Sequence, residues 1–358
     1  MISVLLVFDN HISTALKYLL RMMVFPYIAF VTVPLFIITD SETLKRTLKL
    51  WVGVGVIIAV FGWSSLLFSD APGWTRLRPY AIADWTPLGV NHNLLAEAMV
   101  VLAPIAFGLF IYYHKRRPAR HFAVLAVLFV VTGILTFSRA GWVGFAIQGA
   151  WLGYVYRSTL RLFWQRHKEI ILIIAVPAVL LASWSAAVFF RSEAVLSSND
   201  SRLSTLQIAA YYFRQAPLFG HGPGTYTLLL GDTDLYQRDF GEPLEAHGFL
   251  SKILVEEGLV GVVLFGGFLY WVLRELCRAQ AVDGSDQPLF LGLFLSCLGI
   301  VVFELFNTSY FQSPMWLPLG VALAASHLPH ADDRRHSPAC LPAGNMLPLC
   351  PNQFTSST

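Results

Sequence analysis

The stretch RSEAVLSSNDSRLSTLQIAAYYFRQAPLFGHGPGTYTLLLGDTDLYQRDFGEPLEAH, from Arg191 to His247, is a long polar interruption in a chain that is otherwise built of apolar runs. It holds no lysine, and its four arginines, Arg191, Arg202, Arg214 and Arg238, stand against seven acidic residues. Outward from it in both directions the sequence returns to stretches of bilayer length. Hydrophobic residues make up 56% of the chain and charged ones 13%, with a mean hydropathy of +0.59, values that belong to a polytopic membrane protein and not to a soluble globule.

Apolar runs of about 17–21 residues match a hydrocarbon core ~30 Å thick. They fall near 22–39, 49–68, 93–113, 121–138, 140–156, 170–190, 248–273, 287–306 and 314–328, which predicts an all-α membrane domain over 1–328 with about nine transmembrane helices. Basic residues in the short connections set the orientation. Lys45, Arg46 and Lys49, the run HKRRPAR at 114–120, the group Arg157, Arg161, Arg166 and Lys168, and the pair Arg274 and Arg278 all alternate onto one face. That face is predicted to be cytoplasmic, which places 191–247 in the periplasm as one large loop with short amphipathic helices. Lys17 and Arg21 run against the rule, and a further helix ahead of the first span, with residues 1–8 as its stub, would reconcile them. The Pro-rich segment 329–358 reads as a disordered cytoplasmic tail. A net charge of +3 without one basic patch implies no nucleic-acid partner, and none of the four cysteines lies in the loop, so no disulfide framework is expected there.

Four stretches carry candidate chemistry. Thr136-Phe137-Ser138-Arg139-Ala140-Gly141-Trp142 puts an arginine at an outer hairpin, where it either snorkels to headgroups or offers a permanently charged fork to a phosphate. Asn199-Asp200-Ser201-Arg202 precedes a helical run with Leu203, Leu206, Ala210 and Phe213 as its apolar face, so the cap signal places Arg202 in the first turn of an interfacial helix. Arg214 lies further along that helix. The run PLFGHGPGTY, with His221, Gly222, Gly224 and Tyr226, demands a compact turn and has neither P-loop nor dinucleotide spacing. His247 stands where the loop meets the next apolar run, a boundary at which imidazole suits removal of a hydroxyl proton near neutral pH. Asp232-Thr233-Asp234 has the form of a metal-binding pair, but no further ligands surround it in sequence, so no metal and no cofactor are expected.

Taken in order, these stretches resemble the O-antigen ligase and O-antigen polymerase family of bacterial envelope polysaccharide assembly. The resemblance covers roughly 85–275 and rests on Gly89 to Ala96, Ser138 to Gly141, Arg202, Pro217 to Gly224, Ala246-His247 and Glu256 to Gly261. It implies a metal-independent membrane glycosyltransferase of the GT-C type, with a polyprenyl-diphosphate-linked glycan as donor and lipid A-core or another envelope molecule as acceptor. It further implies that Arg139 and Arg202 hold the diphosphate and that His247 assists the acceptor hydroxyl, with Arg214, His221, Gly222, Gly224 and Tyr226 as candidate substrate-binding residues. Where relatives often carry Asn directly after this histidine, Gly248 stands here. Two other readings remain: a polymerase joining lipid-linked repeat units, and a transporter or flippase, for which the sequence offers no internal repeat and few mid-span charges.

Overall fold

The computed structural model describes residues 24–67, 76–80, 91–114, 118–158, 193–233, 248–281, 286–307 and 313–328, with Leu16, Leu20, Gly89, Arg116, Arg161 and Gln165. Among these every regular element is helical. In chain order the helices are α1 (Phe25–Ile37), α2 (Ser41–Leu67), α3 (His92–Tyr112), α4 (Ala119–Leu135), α5 (Arg139–Val155), α6 (Glu193–Gln215), α7 (Tyr226–Gly231), α8 (Phe249–Glu256), α9 (Gly258–Ala281), α10 (Gln287–Glu304) and α11 (Ser313–Ser326). By length and composition α2, α3, α9 and α10 can each cross a membrane. The span expected at 170–190, the tail at 329–358 and His247 lie outside the described residues.

α3 and α10 are the centre of the bundle, buried over most of their surface. Pro104 inside α3 lacks the N–H that would close on the Val100 carbonyl. Gln148 of α5 fills that vacancy: its Nε2 donates to Val100 O at 2.8 Å and to Leu295 O at 2.9 Å, tying α5 to both central helices. Such a bond between helices contributes ~0.6–2 kcal/mol in a membrane protein. α2 begins well before the expected 49 because Asp40 Oδ1 accepts from Thr43 N at 2.8 Å and caps a polar first turn.

The single span expected over 248–273 is instead two helices. α8 ends at Glu256 and α9 starts at Gly258, whose φ of +67° is one a side chain would strain. The cause is tertiary. The 217–222 turn docks its backbone into this break, with His221 N donating to Val255 O at 2.9 Å, Gly222 N to Glu256 O at 2.8 Å and Leu259 N to Pro217 O at 2.9 Å. Hydropathy is blind to that insertion, since the apolar run continues on both sides of it.

The antiparallel helices define two ends. One gathers the start of α3, the junction of α4 and α5, the end of α10, and helices α6 to α8. At the other, Ser41 donates to Asp286 and Lys45 reaches the Tyr112 hydroxyl at 3.2 Å.

Candidate functional site

Arg139 is the first residue of α5, and the turn before it is tightly specified. Thr136 Oγ1 donates to Gly133 O at 2.6 Å and accepts from Ser138 N at 3.2 Å, while Phe137 takes a left-handed φ of +55°, a costly conformation for an aromatic residue. Ser138 then caps α5 through its Oγ, which accepts from Gly141 N at 3.4 Å and donates to Asn93 Oδ1 at 2.8 Å. Asn93 itself sits in the first turn of α3, below the cap formed by Asn91. Two helix N-termini, each favourable to an anion, are thereby joined side by side.

From this junction Arg139 reaches α6, where its Nη1 donates to Asn199 Oδ1. Arg202 follows three residues along the same helix, and its Nε is buried with no hydrogen-bond partner among the described residues. Burial first, and then the positive charge of Arg139, hold the Arg202 guanidinium below the ordinary arginine range, as befits a cation placed without a counter-charge. The helix starts at Glu193, so Arg202 belongs to its third turn and not to the first as the cap signal predicts. Asp200 and Ser201, the residues expected to cap it, lie inside the helix, so neither stands at its N-terminus. The expected apolar face is also rotated: Leu203 and Leu206 are 56% and 57% exposed, and the packed face is Thr205 and Ala209, with Ala209 in a small core with Tyr226, Leu230 and Val255.

Two further groups complete the cluster. Arg76 Nη1 lies 3.2 Å from His92 Nε2, and His92 is the first residue of α3, next to Asn93. A guanidinium only donates, so this nitrogen accepts and the imidazole proton sits on Nδ1. The segment bearing Arg76 is pinned by Leu77 N donating to Leu135 O at 2.9 Å and Tyr80 N to Phe61 O at 3.2 Å. A continuous path thus runs from Arg76 through His92, Asn93, Ser138, Arg139 and Asn199 to Arg202. Among the described residues no carboxylate pairs with any of the three arginines; the ion pairs present are Glu42 with Lys45 and Arg46, Lys252 with Glu256, and Glu275 with Arg278. Sequence reasoning missed Arg76 and His92. The available signal was Arg76-Leu77-Arg78 in a connection that the basic loops predict to face outward.

The other expected binding residues serve the turn. His221 Nε2 donates to Tyr212 O at 2.9 Å, since a carbonyl only accepts, and its ring meets Tyr212 edge-on at 5.8 Å. Gly222 bonds α8 through its backbone, Gly224 has a φ of +77°, and the N–H of buried Tyr226 donates to Glu256 Oε1 at 3.1 Å. Glu256 is in turn 3.5 Å from Lys252, both side chains being 1% exposed. Arg214 is exposed in the last turn of α6, and no hydrogen bond or ion pair among the described residues joins it to the cluster. Gly248, the neighbour of His247, has a φ of +133°, and a Cβ there would run into the Leu305 carbonyl. The asparagine often found at this place in relatives has no room in this chain.

The site therefore defines a multi-pass membrane protein with an uncompensated arginine cluster at one end of its helices. Residues 124–266 match the family model described as O-antigen ligase, a likeness that supports the resemblance to the O-antigen ligase and polymerase family. The matched segment includes Arg139, Arg202, the 217–224 turn and His247, and excludes Arg76 and His92. Comparison with curated proteins found no match.

Proposed function

We propose that the protein is an O-antigen ligase-like glycosyltransferase that moves a polyprenyl-diphosphate-linked glycan onto an envelope acceptor at the periplasmic face of the bacterial inner membrane. The observation that carries this reading is the pair Arg139 and Arg202, held half-buried between α5 and α6 with no carboxylate beside them among the described residues. In this reading the pair grips the diphosphate. As the acceptor oxygen bonds to the anomeric carbon, the bond from that carbon to the diphosphate breaks and its electron pair stays on the leaving oxygen. Cationic forks stabilise that charge most where it accumulates, in the transition state. His247 takes the acceptor proton. The sugar is already activated, so the reaction needs no nucleotide.

An amphiphilic donor is further supported by a groove of about 560 Å³ along α2 and α4, lined by Ala59, Val60, Trp63, Ser64, Leu67 and Leu128. It lies on the stretch of α2 to which the segment bearing Arg76 is bonded, at Phe61 and Ser65, so an isoprenoid chain in it would leave its head beside the arginines. The outward leucines of α6 suit a helix resting on the membrane interface. A carrier is disfavoured because the buried charges Glu97, Lys252, Glu256 and Glu304 all gather at this same end and not at mid-span.

Deleting the gene and examining envelope glycans alongside extracted lipid-linked material tests the proposal. Full-length polymer stranded on the polyprenyl carrier is the expected result; single repeat units on the final acceptor would make the protein a polymerase, and unchanged glycans would remove both activities. In purified protein, His247→Ala should leave donor binding intact and lower turnover by ~10²- to 10⁴-fold, the range for loss of a general base.

A further inference from the structure

The third arginine stands outside the segment that matches the family, and its setting differs from that of the other two. Arg139 is oriented by an asparagine and Arg202 by burial, whereas Arg76 rests on a neutral imidazole at the first residue of α3. Its segment is also fastened by backbone bonds to α2 and to the end of α4, so the guanidinium is preorganised and not a free side chain on a loop. Arg76, Arg139 and Arg202 have no carboxylate paired with them among the described residues, and the exposed Arg78 adds a further positive charge beside Arg76.

That surplus of positive charge matters for a diphosphate whose charge changes during reaction. While the glycan is attached, the diphosphate is a diester with two negative charges. When the bond from the anomeric carbon to the diphosphate oxygen breaks and the acceptor proton departs to the base, the diphosphate becomes a monoester. A terminal phosphate monoester has its second ionisation near pH ~6, so the leaving group carries a third negative charge at neutral pH. Arg139 and Arg202 suffice for the two charges of the donor, and a further cation answers the charge that appears on the departing product.

Resting on the function proposed above, we infer that Arg76 is a leaving-group cation, positioned by His92, that binds the charge created in the transfer step and not the charge already present in the donor. Arg76 is thus a catalytic residue that touches the diphosphate, and His92 is a positioning residue that acts through it. The consequence is a division between binding and turnover. An interaction made only as charge develops raises the rate without tightening the donor, and it also makes the polyprenyl diphosphate product an inhibitor stronger than the donor's own affinity would suggest.

The experiment measures, with purified full-length protein, the affinity for a polyprenyl-diphosphate-linked glycan, the single-turnover rate, and inhibition by polyprenyl diphosphate lacking the glycan. Arg76→Ala should leave donor affinity within about threefold, lower the rate ~10²-fold as does loss of an oxyanion donor, and weaken product inhibition ~10- to 100-fold, the value of a charged hydrogen bond. Arg76→Gln, which still donates to His92 but has no charge, should behave alike and guards against a folding defect. His92→Leu should reduce the rate with donor affinity kept, and His92→Gln, whose amide oxygen accepts from Arg76, should restore most of it. Equal loss of donor and product affinity in both Arg76 variants would make Arg76 an ordinary binding cation and overturn the inference, as would unchanged product inhibition. Arg139→Ala runs in parallel: if that variant binds and transfers normally, the diphosphate reading itself fails, whatever Arg76 does.

Discussion

The two ends of the helical bundle both gather cationic side chains, in opposite settings. At one end most of the described charges are answered, Arg120, Arg161 and Arg274 being the exposed exceptions. Lys45 pairs with Glu42 at 3.3 Å and reaches the Tyr112 hydroxyl, Lys49 and Arg116 lie over the Tyr113 ring, Arg157 lies over Tyr154, and Arg278 pairs with Glu275. At the other end Arg76, Arg139 and Arg202 lean on a histidine, an asparagine and nothing described, respectively. The difference teaches that the number of basic residues says little about their use. A cation already satisfied by a carboxylate or a ring face has little left for a ligand, whereas one held half-buried without a partner is poised for an anion, because its desolvation cost is already met by the fold.

The comparison predicts its own largest effect at the uncompensated end. Arg139→Ala and Arg202→Ala should each lower transfer by at least ~10²- to 10³-fold and abolish donor binding at ordinary concentrations, and Lys should rescue poorly for want of a planar fork. Donor binding and single-turnover rates at matched amounts of folded protein check this, and near-normal affinity in both variants would break the contrast between the ends.

Next comes Gly248. Gly248→Asn reproduces the residue often found in relatives, yet here it should destabilise by more than the ~1–3 kcal/mol of a strained backbone alone, because its Cβ meets the Leu305 carbonyl as well. Thermal unfolding in detergent reads the loss. A variant as stable as the parent would mean that this end tolerates repacking and is less rigid than its neighbours require.

At the answered end the effects shrink. Lys49→Ala and Arg157→Ala remove cation–π contacts worth ~0.5–1 kcal/mol at exposed sites, and transfer should be unchanged. A strong loss of activity in either would show that the ends differ less than their partners suggest. The smallest effect is none at all: EDTA, and Asp232→Ala combined with Asp234→Ala, should leave turnover as it was. Loss of activity on chelation, restored by Mg²⁺ or Mn²⁺, would falsify an arginine-based site.

Much of this molecule was legible from local sequence. Apolar runs of bilayer length located most of the helices, since burial in hydrocarbon requires a continuous apolar segment whatever its neighbours are. Arg139 and Arg202 stood out as candidates too, because an arginine in a stretch predicted to face outward is conspicuous along the chain. Three features were decided only by tertiary contact. The break at Gly258 exists because the 217–222 turn docks its backbone there; Arg202 is brought beside Arg139 because Asn199, three residues earlier on α6, accepts from Arg139; and Arg76 joins Arg139 and Arg202 only because Asn93 and Ser138 bring the start of α3 to the start of α5. Hydropathy and capping preferences are sums over neighbours in sequence. A hydrogen bond between residues 45 positions apart enters neither, and it is such bonds that bring three arginines distant in sequence into one cluster.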